Sequence, residues 1–466
     1  MGDFWNSCHF IFVCFLLFTL WTKLAVSTNV SENNTCYCLV EELSNLRNPV
    51  HVEATRIDDE EAYLIAEQIG VIWKYRPKVK SKKLKSYLNV TDLVSSESIP
   101  MDEYGLLGFA LHPNFTTNMK IYLYTIRALT DRDVKKPYDV KKPYAVISEI
   151  TGDNLREEKI LLAIEQPGTK RNGGQLLFDS DGFLYIFVGD GGPEKDSNIQ
   201  AQNGSSLLGK VLRINVDKST IVDFRPRYYD IPIYNPMKID WRPEVYAIGG
   251  RNMWRCGLDK GDENGKGRGR IFCGDLGSSL ADEINEIRKG GNYGWPNWEG
   301  STCRREGACK DSNNIPPLFE ARHDTGNIKA IVGGPLYRQT KFPHLKGQLI
   351  IGDFVSASVY TLKETLSNDG ASKWNMTSFP FCDKSRCGCK ARDVPRSFLL
   401  SFGETHTDEL LLLMTNEPSP HKPSGAMLRL EPPSGDHVTC KATNLFSTTM
   451  TYHFVIIFLT YFCISL

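Results

Sequence analysis

Residues 172–192 read NGGQLLFDSDGFLYIFVGDGG. Two apolar runs lie between glycine-rich turns, and the second, FLYIFV, is apolar at every position. A half-exposed strand alternates apolar and polar residues, so an unbroken run of this length points to a strand covered on both faces. Comparable runs recur along the chain: AYLIAEQ from 62, KIYLYTI from 120, EVYAIGG from 244, QLIIGDF from 348 and ELLLLMTN from 409. Several neighbours stand about 60 residues apart, the mark of a repeated unit that cannot bury its own faces alone. One wider gap has room for RIFCGDLG at 270 together with an insertion. Turn-forming Gly, Asp and Asn separate the runs, and long helical periodicity is scarce between 40 and 430.

The expectation is an all-β chain. Roughly 390 residues at this spacing make six four-stranded blades around a channel. A large sandwich or two β-domains would explain the regular spacing less well. The chain of 466 residues has 41% hydrophobic and 11% aromatic content, enough for a sizeable core. Lys+Arg and Asp+Glu both number 55. A nucleic-acid-binding protein carries a strong basic excess, so nucleic acid is not an expected partner.

Both ends carry signals of export. FIFVCFLLFTLW (10–21) followed by AVS (25–27) has the form of a signal-peptide core and cleavage site, although Asp3 stands where a basic leader is usual. The expected signal peptide is 1–27, and the propeller is expected over 36–432. Residues 433–445 are then a linker holding an anchor-attachment region, with Ala442, Thr443 and Asn444 as candidate attachment residues. Residues 446–466 form a hydrophobic C-terminal signal that is removed. The run YHFVIIFLTYFCISL (452–466) is short for a bilayer span, which needs about 20 residues. Preceded by a polar stretch, it reads as a glycolipid (GPI) attachment signal; a short tail anchor or a buried terminal helix is the alternative.

Thirteen cysteines are present. Cys8 and Cys14 fall in the signal and Cys463 in the tail. The remaining Cys36, Cys38, Cys256, Cys273, Cys303, Cys309, Cys382, Cys387, Cys389 and Cys440 are even in number, as disulfides in an exported chain require. Zinc is the rival reading for CDKSRCGC (382–389), but no CxxC pair or HxxxH partner accompanies it. Cys256–Cys273 would close one hydrophilic loop and Cys303–Cys309 a shorter one. Sequons at Asn29, Asn33, Asn89, Asn114, Asn203 and Asn375 also suit an exported glycoprotein.

In a propeller the loops at one end of the channel converge, so polar residues flanking the inner strands can meet over one funnel. The candidates are Glu103 before GLLGFALHP, Arg171 before NGGQLLF, Asp190 after YIFVG, and Arg251–Asn252 after YAIGG. Each could equally serve only to satisfy loop backbone or pair with a neighbour.

Five stretches together resemble the glucose/sorbosone dehydrogenase superfamily: YGLLGFALHPNF (104–115), NGGQLLFDSDGFLYIFVGDGG (172–192), LLGKVLRINVD (207–217), YAIGGRNMWRC (246–256) and DEINEIRKGGNYGWP (282–296). CYCLVEELSNLRNPV (36–50) and GRGRIFCGDLG (267–277) resemble its Hedgehog-interacting-protein-like branch. The resemblance implies a six-bladed propeller and, in the soluble bacterial members, oxidation of sugars with pyrroloquinoline quinone (PQQ) and calcium. It also implies the roles of the funnel residues. The histidine general base falls at Arg171, and arginine, which keeps its proton, cannot take one from substrate. The supporting carboxylate is retained as Asp190, and the Arg–Asn pair as Arg251 and Asn252. A cofactor-contacting glutamine falls at Glu103 and a lysine over the quinone at Val355. One calcium-holding backbone position falls at Gly277, followed by Ser278 where proline is usual. Arg171 is therefore expected to pair with Asp190 and close the funnel.

The Hedgehog-binding member meets its ligand's zinc site through an acidic loop before the strand matching GKVLRI. Here NIQAQNGSSLLGKVLRI (198–214) has no carboxylate and carries the Asn203 sequon. The tandem DVKKPYDVKKPY (133–144) and KYRPKVKSKKLK (74–85) are basic stretches that could attract sulfated polysaccharide or anionic headgroups, or be solvated strand faces. The function expected is a membrane-tethered propeller binding an extracellular protein or glycan without catalysis. The alternatives are a PQQ-dependent sugar or alcohol dehydrogenase with an altered site and a Hedgehog-ligand decoy.

Overall fold

The computed structural model describes residues 36–432 apart from 80–82, 95–102, 130–141, 153–157, 193–199, 223–224, 306, 311–312, 367–371, 383–388, 390–396 and 406–408. Six four-stranded antiparallel sheets form the blades of a propeller. The inner strands, in order around the ring, are Pro49–Ile57, Gly105–Leu111, Leu176–Phe178, Met253–Leu258, Ile331–Leu336 and Phe398–Glu404.

The opening stretch shows why the sequence folds this way. Strand Leu184–Val188 is buried at all five positions. Leu184, Ile186 and Val188 pack into the core shared with blade 2, while Tyr185 and Phe187 pack into the core shared with blade 4. Alternate side chains thus serve opposite neighbours, and a polar residue at any of them would be buried. Each contributes about 1.5–3 kcal/mol by leaving water.

Five of the six apolar runs supply the second strand of a blade, namely Glu60–Glu67, Lys120–Ala128, Leu184–Val188, Gln348–Asp353 and Leu410–Thr415. EVYAIGG departs from that pattern. Its strand Val245–Ile248 is the outermost of blade 3, reached through the insertion that holds the hairpin Thr220–Val222/Arg225–Arg227. The second strand of blade 4 is Ile271–Asp275, from RIFCGDLG. The insertion displaces the repeat in sequence without displacing it in space.

Ring closure comes from the N-terminal strand Cys38–Leu46, which becomes the outer strand of blade 6, with Cys38 opposite Glu431 and Leu46 opposite Gly425. Two disulfides, Cys36–Cys382 and Cys38–Cys389, fix it to the segment before the last blade, with Cα separations of 4.8 and 5.6 Å. Cys256–Cys273 joins register partners of one hairpin, and Cys303–Cys309 closes a short loop. Every described cysteine is therefore bonded in a pair, which accounts for the close Cys38, Cys382 and Cys389 sulfurs without a metal. Cys387 and Cys440 lie outside the described residues, as do both terminal apolar runs, Asn29, Asn33, and most of the tandem KKPY repeat. Among the described residues no helix is long and apolar enough to cross a membrane.

Candidate functional site

The turn GDGG (189–192) explains how an arginine reaches the funnel. Arg171 adopts a left-handed conformation, φ 63°, and its carbonyl accepts the Gly191 N–H. A Cβ on Gly189 would stand 1.9 Å from that carbonyl oxygen, and one on Gly192 would stand 2.6 Å from the Arg171 guanidinium. Only glycine leaves space at both positions. The guanidinium Nε then lies 3.3 Å from Asp190 Oδ1.

Asp190 is fully buried. Its carboxylate also accepts the Trp295 indole N–H at 2.8 Å and the Gly192 N–H at 3.1 Å. Burial pushes this carboxyl up, while the Arg171 charge and the two N–H donors pull it back.

Arg251 and Asn252 enter the same site at the start of blade 4. Both backbone N–H groups donate to Asp275, at 3.0 and 2.6 Å. Arg251 Nη1 donates to the Leu276 carbonyl at 2.9 Å, and its guanidinium rests on the Trp295 ring, 5.1 Å from the centroid. Arg304 covers that ring as well, at 4.8 Å. Asn252 Oδ1 accepts the Gly173 N–H at 3.0 Å, which ties blades 3 and 4 together. Glu103 accepts the Asn172 N–H at 2.6 Å; burial raises its carboxyl, and hydrogen bonds with the Arg171 and Arg251 charges act against that rise.

The Gly277 loop is arranged around an anion. Glu299 Oε1 accepts the N–H groups of Ser278, Ser279 and Leu280 at 2.6, 2.9 and 2.8 Å and that of Ala281 at 3.3 Å. The Gly277 N–H donates to Asp282 at 2.8 Å. Converging N–H groups make a concavity of positive potential.

The structure thus brings together Glu103, Arg171, Asp190, Arg251 and Asn252, while Gly277 lies at the edge of this cluster beyond Leu276. Val355, 49% exposed, lines the mouth of a cavity of about 300 Å³ that Glu103 and Asn252 also line. Sequence reasoning missed Trp295, Asp275, Glu299 and Arg255. GWP (294–296) was visible as a motif, but nothing in it shows that the indole would reach Asp190.

These residues do not fit a calcium-bound quinone. Arg171 is held by Asp190, a guanidinium already holds the Leu276 carbonyl, and the neighbouring backbone donors surround the Glu299 carboxylate. Val355 brings no cation at the position where the resemblance expects a lysine, and Glu103 puts a carboxyl group where it expects a neutral contact.

Comparison with known proteins then fixes the lineage. The glucose/sorbosone dehydrogenase family model matches residues 46–377. The chain belongs to that family. Over 432 residues it is 28% identical to the Hedgehog-interacting protein of Homo sapiens, covering 90% of this chain and 56% of that protein. It is likewise 28% identical over 412 residues to the HIPL1 protein of Arabidopsis thaliana, covering 77% of this chain and 57% of that one. Quinoprotein glucose dehydrogenase B of Acinetobacter calcoaceticus is 29% identical over 274 residues, 55% of this chain and 52% of its own length. The chain therefore spans little more than half the length of these curated relatives. Among solved structures, the PQQ-bound aldose sugar dehydrogenase of Streptomyces coelicolor superposes with a TM-score of 0.56 at 20% identity, over 85% of this chain and 98% of that one, and so shares the fold.

Proposed function

We propose that this family member is an exported, glycosylated propeller, held at the cell surface by a glycolipid anchor, that binds an extracellular protein and does not catalyse sugar oxidation. The observation that carries the reading is Arg171. It occupies the position where the resemblance expects a general base, and it is 8% exposed and ion-paired with Asp190. A base must lose its proton near the working pH, and a guanidinium does not.

The Hedgehog-interacting relatives support a protein partner. The blade-3 insertion offers a surface for one, because Ile233 is 83% exposed and Ile239 fully so, beside exposed Tyr234 and Met237. Apolar groups gathered on an exposed surface mark contact sites. Asn89, Asn114 and Asn375 are exposed, with the Asn375 amide donating to Thr365 at 2.9 Å, whereas Asn203 is half-buried; Asn89 and Asn203 both accept hydrogen bonds from the third residue of their own sequons. The loop carrying Asn203 is fixed from beneath. Lys210 Nζ donates to the carbonyls of Gln200, Ala201 and Leu208 at 2.6, 3.1 and 2.7 Å.

Calorimetric titration of the secreted protein with PQQ in excess calcium tests the absence of catalysis. The expected result is no stoichiometric binding, and no dye-linked aldose oxidation, for wild type or Arg171→His. Tight quinone binding with turnover by wild type would replace the reading with that of a dehydrogenase. A Hedgehog ligand is the specific second reading, favoured by similarity over 90% of the chain. Surface capture of a Hedgehog signalling domain with calcium and zinc present tests it. Since residues 198–214 lack a carboxylate, any capture should leave the zinc dependence behind, and complete absence of capture removes Hedgehog as the partner.

A further inference from the structure

Arg255 projects from the inner strand of blade 4 and is only 2% exposed. Its Nη2 donates to the carbonyls of Val50 at 2.8 Å and Leu107 at 3.4 Å, and its Nη1 to the Trp254 carbonyl at 3.1 Å. The guanidinium therefore links the inner strands of blades 1, 2 and 4, and it lies 4.9 Å from the centroid of the Trp254 ring. Each of these hydrogen-bond partners is neutral. Among the described residues no carboxylate forms an ion pair with Arg255, and its buried Nε has no hydrogen-bond partner. A buried charge without a counter-ion is costly. Burial pulls this guanidinium down, to about 9, and the more distant Glu103 opposes the pull.

The same side chain lines the funnel cavity of about 300 Å³. Engineered cavities of about 150 Å³ take benzene, so this one has room for a phenylalkyl group. Leu276, Ala330, Phe354, Leu400 and Pro418 make one side of it apolar. On the polar side the exposed Lys170 adds a second cation, Glu103 brings a carboxyl that burial pushes toward its neutral form, and the amides are mostly engaged with protein. Asn48 Nδ2 donates to Gln68 at 2.6 Å, Gln68 Nε2 donates to the Tyr104 carbonyl at 2.7 Å, and Asn252 Oδ1 is held by Gly173. An apolar body with one negative end would meet both the wall and the uncompensated cation.

We propose that this cavity binds a small organic monoanion, its carboxylate against Arg255 and its apolar body on the wall formed by blades 4 to 6. The site serves ligand recognition within the propeller and needs neither quinone nor metal.

Calorimetry on the full secreted chain with 4-phenylbutyrate, 4-phenylbutanol and 4-phenylbutylamine tests the assignment. The carboxylate should bind one per chain and at least about tenfold more tightly than the alcohol, as a charge-assisted hydrogen bond predicts, and the amine should not bind. Arg255→Met should erase the preference for the acid, and Arg255→Lys should keep it. If the Arg255 variants fail to fold, Val355→Trp decides the matter, because it fills the half-exposed mouth and should weaken carboxylate binding about tenfold or more with the fold intact. Equal binding of acid and alcohol, preference for the amine, indifference to Val355→Trp, or no carboxylate binding at millimolar concentration would each overturn the proposal. Quinone turnover is a separate readout, so this result and that of the preceding experiment stand independently.

Discussion

Replacing Cys36 and Cys38 together with serine should lower the thermal midpoint by about 6 °C or more, the larger of the two stability effects expected here. The bridges span 346 and 351 residues of sequence. In the chain-entropy account, closing a loop that long restricts the unfolded chain by about 5–6 kcal/mol. The two are not additive, because both connect the same short N-terminal segment to residues 382 and 389. Once either is present, the other closes a ring of only about ten residues, worth about 2–3 kcal/mol. Each single replacement should therefore cost about 3 °C, and the double replacement more than twice that. The geometry explains why closure needs the help. The strand Cys38–Leu46 has to find its place beside Gly425–Glu431 at the far end of the chain. Scanning calorimetry of the three variants at one scan rate checks the order. A single variant as damaging as the double would show that the bridges act through local packing instead of through closure.

The fold was legible because a propeller writes itself into its second strands. Tyr185 and Phe187 face one neighbour while Leu184, Ile186 and Val188 face the other, so the run has no polar position to hide it. EVYAIGG stands among the same runs although it is an outermost strand. A buried outer strand looks like a buried second strand, and only the hydrogen-bonded order separates them. At the site, Arg171, Asp190, Arg251 and Asn252 were legible as polar residues at strand ends. Arg255 was not. A bulge between Met253 and Arg255 breaks the strand's register, and a period-two reading cannot place a side chain beyond it. Asp275 and Glu299 escaped notice because each works on backbone N–H groups brought in by the fold, a role that leaves no spacing signal. Trp295 reaches Asp190 across 105 residues of sequence.

Glu283→Gln should make the protein more stable at pH 8 and remove much of its loss of stability between about pH 4.5 and neutrality. Glu283 and Asp275 are register partners on adjacent strands of blade 4, and both are buried. Like charges in that position oppose folding. Burial raises the Asp275 carboxyl, but the backbone N–H groups of Arg251 and Asn252 and the Arg251 charge pull it back, leaving it the more readily ionised of the two. Glu283 is the member held protonated. Burial raises its carboxyl far above the ordinary value of 4.5, and the Asp275 charge raises it further. The sign follows from proton counting. Above pH 4.5 the unfolded glutamate has lost its proton while the folded one keeps it, so the folded state binds more protons and stability falls as pH rises, until the folded group also ionises. A glutamine carries no such charge, so the gain at pH 8 is about 2–4 kcal/mol and vanishes near pH 4. Packing permits the exchange. Glu283 accepts the Gly300 N–H and the Asn285 amide, and Asn285 Oδ1 is buried without a partner. Turning the Asn285 amide over lets that oxygen accept from the new glutamine Nε2, while its Oε1 keeps Gly300. Urea denaturation of both proteins from pH 4 to pH 8 measures the difference. Parallel curves would show that Glu283 is ionised in the folded state throughout, and that the N–H groups around it outweigh its burial.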